Sequence, residues 1–245
     1  MNWLKNNESY WDVLAKDYSN LYDSDWSLLE NNHIYKQLEF ISKIDNCNIL
    51  DLGCGAGLGY VLCKKAQPNI HYTGIDISDR MLKSAHFEHQ KIKLIQSSMS
   101  DLSMIESNTI DVVISIFTAF SFTDDVHLTL SEIRRVLKPG GKFFISVLSK
   151  FSLRRICRLK NGKLEKYRTR GSKIEQFSYG WVFSVKELQK VFRSNQFNIS
   201  EITGYNIFAG FSYLEKKEKF WKANIFFSNV FPNLSHEIII KGELD

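Results

Sequence analysis

Short apolar runs alternate with stretches of helical spacing through the middle of this chain of 245 residues. Residues 48–52 predict a first strand, 58–65 the start of a helix, and 72–76 a second strand, with Ser78 placed to cap a helix through residue 85. Residues 92–96 and 110–116 predict the third and fourth strands. Val126, Leu130, Ile133 and Leu137 then share one helical face, the turn Pro139-Gly140-Gly141 ends that helix, and 142–148 supplies a fifth strand. This alternation predicts an α/β fold with a doubly wound, mostly parallel sheet.

The last hundred residues are less regular. Ser184 and Glu187 have capping-box spacing before a helix carrying Leu188, Val191 and Phe192. Residues 197–202 and 237–241 read as two closing strands, which brings the sheet to seven. Between them, 203–236 holds nine aromatic residues, among them Tyr205, Phe208, Phe211, Trp221 and Phe231, more apolar area than a solvated loop exposes. Core or homodimer packing is the default account of this insert, and lining an acceptor pocket is the sharper one.

Hydrophobic residues make up 44% of the chain, enough for one domain with a sizeable core. The longest apolar runs, 112–117 and 143–148, are too short to cross a bilayer and read as buried strands, so no membrane span is expected. Cys47, Cys54, Cys63 and Cys157 form neither a C-x-x-C pair nor a metal-ligand cluster, and the first residues lack the apolar core of a signal peptide. These features predict a reducing, cytoplasmic setting. The net charge of +5 is uneven, because residues 150–175 carry ten Lys and Arg against two acids. A solvated face accounts for such a segment by default; an anionic substrate, an acidic carrier protein or RNA is the alternative.

The candidate chemistry centres on residues 49–59, I-L-D-L-G-C-G-A-G-L-G, where a strand runs into a glycine-rich turn. Gly53, Gly55 and Gly57 permit a tight strand-to-helix bend and close approach of a ligand, so an adenosine-bearing cofactor is expected there. The dinucleotide fingerprint fails, since the sixth position is Leu58 counted from Gly53 and Tyr60 counted from Gly55. A phosphate-cradling P-loop fails too, because no lysine follows a glycine in this stretch. Asp51, two residues before the first glycine, suits a ligand with an ammonium and a sulfonium better than a pyrophosphate.

Residues 51–57, the acid Asp76 that ends G-I-D-I-S, and R-R-V-L-K-P-G-G over 134–141 together resemble a class I S-adenosylmethionine-dependent methyltransferase. The best match is the small-molecule group that includes the ubiquinone/menaquinone C-methyltransferase type. The resemblance covers roughly 45–148, and Y-W-D-V-L-A-K-D-Y over 10–18 is similar to that group's opening helix. It implies a Rossmann-like methyltransferase fold in a single domain, 1–245, with a helical cap over 1–44, a cofactor core over 45–148, a basic connecting segment over 149–182 and the aromatic insert. It further implies S-adenosylmethionine as cofactor and S-adenosylhomocysteine as product. Gly53, Cys54 and Gly55 would let the backbone approach the donor, Asp51 would hold its amino group, and Asp76 would accept from both ribose hydroxyls. Ile77 would flank the adenine, Ser98 and Met99 would meet its edge, and Ser115 and Ile116 would lie near the sulfonium; Tyr18 and Tyr22 would close over the site, with amphipathic-helix packing as the alternative. Many relatives have an Asp where this chain has Ser98. Replacing Asp76 by alanine is expected to weaken cofactor binding with little loss of fold.

No catalytic residue can be assigned, because methyl transfer from a sulfonium is mainly a positioning problem. Residues 116–122, I-F-T-A-F-S-F, lack the histidine that many relatives have beyond the fourth strand, and His127 reads as a surface residue. Asp124 and Asp125 read as helix N-terminal acids, and no metal-ligand set is apparent. Phe117, Phe120 and Phe122 suggest an aromatic wall near the transferred methyl, with core packing as the alternative. With Tyr179 and Trp181, they favour a small, partly apolar acceptor: a secondary metabolite, quinone precursor or amino sugar. A tRNA substrate rests only on the basic segment, with no dedicated RNA-binding module, and a cofactor-binding regulator or inactive partner subunit is the non-enzymatic alternative.

Overall fold

The computed structural model describes residues 3–18, 24–85, 92–157, 164–167, 169, 175–209 and 218–245. Strand β1 (Cys47–Leu52) is buried at every position except Asn48, as expected of a strand covered on both faces. It lies between β2 (Ile70–Asp76) and β4 (Ile110–Ser115), both parallel to it. β3 (Ile92–Gln96) extends the parallel sheet beyond β2, and β5 (Leu137–Ser149) extends it beyond β4. β9 (Glu237–Leu244) then pairs antiparallel with β5, and β8 (Phe197–Tyr205) antiparallel with β9. These seven strands form the doubly wound α/β sheet that the alternation of apolar runs predicts.

Helices bury both faces. On one, Leu130 and Ile133 of α5 (Val126–Val136) and Leu188 and Phe192 of α7 (Val185–Ser194) pack against Val113, Phe143, Ile145 and Ile240. On the other, α2 (Asp25–Leu38), α3 (Leu58–Ala66) and α8 (Trp221–Val230) cover Ile49, Phe144 and Ile239 with Ile34, Leu38, Leu62 and Ile225. Local signals set the starts of several of these helices. Ser78 Oγ accepts from Met81 N at the head of α4 (Asp79–Ser84), and Asp125 Oδ1 from Leu128 N at the head of α5. Ser184 and Glu187 form the reciprocal capping box their spacing announces.

The structure departs from the sequence reading in three places. β5 begins at Leu137 rather than after the glycines, because Leu137 pairs with Ile110 and a register shift absorbs the Pro-Gly-Gly bend, with Gly140 at φ 73°. A hairpin of β6 (Leu164–Tyr167) and β7 (Ser178–Phe183) stands where a plain connecting segment is expected. Its second strand pairs with Leu148 and Ser149, in the stretch of β5 past the last rung with β4. Within the aromatic insert a helix, α8, forms where the sequence reading has no regular element. No helix among the described residues is long and apolar enough to cross a membrane.

The first helix, α1 (Trp3–Leu14), crosses this hairpin at the C-terminal edge of the parallel strands. Its Asn7, 1% exposed, donates to the carbonyls of Phe122 (3.2 Å) and Tyr179 (3.0 Å) and accepts from Tyr179 N (2.9 Å) and Ser178 Oγ (3.0 Å). Trp3 stacks on Trp181 at 5.4 Å. One buried amide thus joins α1, β7 and the loop after β4.

Candidate active site

Two carboxylates mark the strand ends. Asp51, next to last in β1, is fully buried; its Oδ2 accepts from Tyr72 Oη at 2.5 Å, and its Oδ1 has no partner among the described residues. Gly59 makes this position possible, because a Cβ there would overlap Asp51 Oδ2. Burial pushes the Asp51 carboxyl up to about 7, partly opposed by the Tyr72 hydrogen bond and reinforced by the charge of Asp76. Burial without a compensating cation is costly for a carboxylate, so a positively charged group beside Oδ1 would relieve it.

Asp76 ends β2 and ties two turns together. Its Oδ2 accepts from Gly55 N at 2.8 Å and its Oδ1 from Ser78 N at 2.9 Å. Burial raises its pKa to about 6, against the lowering effect of those amides. Ser78 in turn donates to Asp12 of α1 at 2.5 Å, so the helical cap is coupled to the turn that holds Asp76.

The glycine turn bends between these acids. Gly53, Gly55 and Gly57 adopt φ of 76°, 52° and 88°, a region that favours glycine. At Gly53 a side chain is excluded twice over, since a Cβ would also lie 2.5 Å from the Cβ of Ala119. At Gly55 nothing lies within 4 Å of that position, which leaves the backbone open on the ligand side.

A pocket with about 910 Å³ of empty space, part of it open to solvent, lies against this turn. Tyr18, Gly53, Cys54, Gly55, Asp76, Ile77, Ser98, Met99 and Ile116 line it, so most of the residues singled out from the sequence converge there. Two do not reach its wall. Asp51 lies beneath the glycine turn, and Ser115 is fully buried and spends its hydroxyl on the Leu52 carbonyl at 2.8 Å, clamping β4 to β1. Ser98 faces the pocket, but its hydroxyl donates to Asp124 Oδ1 at 2.8 Å, an oxygen that Ser100 also contacts at 2.7 Å. Asp124, next to the N-cap Asp125 at the head of α5, is thus also a partner of the Ser98 loop. Of the proposed aromatic wall, Phe117 and Phe122 line the pocket, whereas Phe120 is fully buried against Phe183 and Phe192. His127 is exposed on α5 and away from the pocket wall. Tyr22 lies outside the described residues.

Several lining residues have no local signature. Leu4, Asn7 and Trp11 arrive from α1, and Met81 from α4. After β4, Phe117 and Thr118 adopt φ of 50° and 64°, unfavourable for these residue types. Ser146 Oγ accepts from Thr118 N at 2.7 Å, and Ser121 Oγ accepts from Leu148 N at 2.8 Å, which holds the bend and turns Phe117 towards the pocket. Among the described residues, no group of His, Cys, Asp and Glu could hold a metal ion.

Comparison with known proteins agrees with this geometry. Residues 50–145 match the methyltransferase domain family, a segment that holds the glycine turn, both acids and the strand-end loops. Over this segment the chain is similar to the class I S-adenosylmethionine-dependent methyltransferases. The ubiquinone/menaquinone biosynthesis C-methyltransferase of Rickettsia akari is 35% identical over 123 residues, 46% of this chain and 49% of that protein. Mouse arsenite methyltransferase is 31% identical over 118 residues, 42% of this chain and 31% of its own length. The matches thus span a third to a half of these relatives. In fold, a Thermotoga maritima methyltransferase structure described as a possible histamine N-methyltransferase superposes with a TM-score of 0.64 over 97% of this chain and 99% of the other, at 18% identity. The residues of this chain are of the kinds that the family's cofactor requires: a partnerless buried carboxyl oxygen for an ammonium, an open glycine backbone for a thioether chain and a strand-end acid beside the pocket for a ribose diol.

Proposed function

We propose that this protein transfers a methyl group from S-adenosylmethionine to a nitrogen, oxygen or carbon of a small, partly apolar acceptor. The observation that carries this reading is the pair of buried strand-end acids on either side of the glycine turn, with Asp76 accepting from Gly55 N beside the pocket. When bound, the cofactor supplies an electrophilic methyl group on a sulfonium. Asp51 anchors the ammonium end from beneath the turn, Asp76 accepts the ribose hydroxyls, and the side-chain-free turn lets the donor chain lie against the backbone. Ile77, Met99 and the Ser98 loop hold the adenine.

The remaining residues orient the acceptor and exclude water. Phe117 and Phe122 present ring faces, while α1 covers the pocket with Leu4 and Trp11. The ionisable side chains among the described lining residues are Asp76, Cys54 and Tyr18. Asp76 is committed to the turn, and burial raises the Cys54 thiol well above its ordinary value. Catalysis therefore rests on alignment, which contributes up to about 7–11 kcal/mol in well-oriented systems. The relatives act by name on acceptors as different as arsenite and a quinone precursor, so the acceptor class is inferred from the lining instead.

The test incubates the protein with methyl-labelled donor and a cell extract, then separates small molecules, RNA and protein. Label in the small-molecule fraction is the expected result. Label in RNA would replace this reading with RNA methylation, and cofactor binding without any labelled product would favour a regulator.

A further inference from the structure

Helix α8 is seated with polar side chains inwards. Asn224 and Ser228 are both fully buried, and each fastens the chain just past β8: Asn224 Oδ1 accepts from Phe208 N at 3.3 Å, and Ser228 Oγ from Ile207 N at 3.0 Å. Gly204 lets the helix come this close, because a Cβ there would lie 2.2 Å from the Ser228 carbonyl oxygen. Trp221 and Ile225, on the same side, pack against the core beneath. Rolling the helix to bury a different face would break both hydrogen bonds, so its orientation is fixed.

The outward face is apolar, the reverse of an ordinary surface helix. Phe226 is 62% exposed, Val230 51%, Phe231 47% and Phe227 41%. Phe226 and Val230 are four residues apart and stand in one row, which Lys222 extends by four more towards the helix start. Phe227 meets Phe226 edge-on at 5.3 Å and widens the row. With roughly 200 Å² for each ring, the exposed apolar surface comes to a few hundred Å², the size at which a patch on a monomer is often functional.

Charge decides what this face fits. Between Glu218 and Glu237 the chain holds Lys219 and Lys222, both exposed, and no acid. A second copy of the chain would bring the same face, with no carboxylate for either lysine. An anionic phospholipid surface offers an apolar layer for the rings and phosphates for the ammonium groups, the arrangement of a helix lying in a lipid–water interface. At ten residues α8 is too short to cross a bilayer, so it lies along the surface. It does so at the end of the sheet that carries the donor pocket: Tyr205, the last residue of β8, pairs with Glu237, which pairs with Leu148 beyond the last rung between β4 and β5.

We propose that α8 docks on an anionic phospholipid surface, with Phe226, Phe227, Val230 and Phe231 entering the acyl boundary and Lys219 and Lys222 meeting lipid phosphates. The contact is peripheral and holds whether or not the pocket performs methyl transfer.

The test is sedimentation of the full chain with vesicles of phosphatidylcholine alone or with one-third phosphatidylglycerol. Binding tenfold or more tighter to the phosphatidylglycerol vesicles is expected, and it should weaken in high salt. Phe226→Ser with Val230→Ser should lower that affinity tenfold or more, and Lys219→Gln with Lys222→Gln should lower it about tenfold, each with an unchanged urea midpoint. Should one pair fail to fold, as a lost urea transition would show, the other pair and the wild-type lipid preference decide the matter. No binding to either vesicle, equal binding to both, or affinity that survives either folded pair of substitutions would overturn the proposal. So would a concentration-dependent dimer that Phe226→Ser with Val230→Ser abolishes while vesicles leave the wild type in solution, an outcome that assigns the face to a second copy.

Discussion

Replacing Asp76 by alanine tests the site and the fold together. The carboxylate accepts from Gly55 N and Ser78 N, and each amide left unsatisfied costs about 1–3 kcal/mol, about 2–6 kcal/mol for the pair. Relief of the buried charge offsets part of this. The folded pKa of about 6 against an ordinary 3.8 is roughly two units, or about 3 kcal/mol at pH 8. The two terms leave between a gain of about 1 and a loss of about 3 kcal/mol in unfolding free energy, consistent with little loss of fold. Cofactor binding loses its charge-assisted hydroxyl partners in addition, about 1.5–3 kcal/mol or roughly ten- to a hundredfold in affinity. Urea unfolding at pH 8 measures the first quantity, and calorimetry with S-adenosylhomocysteine the second. Asp76→Asn, which keeps one acceptor and removes the charge, should recover most of the stability and little of the affinity. An unchanged urea midpoint together with unchanged affinity in the alanine variant would refute the reasoning.

Three further outcomes are expected. Asp51, Asp76 and Glu237 have folded pKa values of about 7, 6 and 8, all above their ordinary range, so the folded state binds protons more tightly than the unfolded chain. Stability of the ligand-free protein should therefore rise as pH falls from about 8 towards 5, read as higher urea midpoints. S-adenosylhomocysteine affinity should run the other way, dropping about tenfold between pH 8 and 6 as Asp51 takes up its proton; parallel slopes would contradict the assignment. Asn7→Ala removes the Asn7 bonds to the Tyr179 carbonyl and amide and leaves the Phe122 carbonyl with Trp3 Nε1 alone, so α1 should exchange its amide hydrogens faster while β1 and β4 stay protected. Gly59→Ala forces a methyl group onto Asp51 Oδ2 and should cost about 1–3 kcal/mol in thermal or urea unfolding, with weakened cofactor affinity.

The sequence by itself determined the parallel core and the donor end of the site. Buried parallel strands are short, nearly continuous apolar runs, and Ser78, Ser184 and Glu187 mark their helices through bonds made within a few residues. The glycine turn was legible for the same reason, since positive φ at Gly53 and Gly55 is a local demand that a sequence must meet with a particular residue.

Tertiary structure alone decided the rest, because those interactions join residues far apart in the chain. Asn7 reaches Tyr179 across 172 positions, and Tyr72, an unremarkable strand residue, proves to be the hydrogen-bond donor to Asp51. Ser115 and Ser98 occupy the expected strand end and loop, yet their hydroxyls go to Leu52 and Asp124, a choice fixed by which acceptors the packed strands bring near. Glu237 and Tyr205 become neighbours only when β8 and β9 pair in register, and their burial under α2 and α8 makes two ordinary polar residues a buried, aromatic-walled pair. Periodicity records which face a residue takes, whereas the partner it meets there depends on long-range closure of the chain.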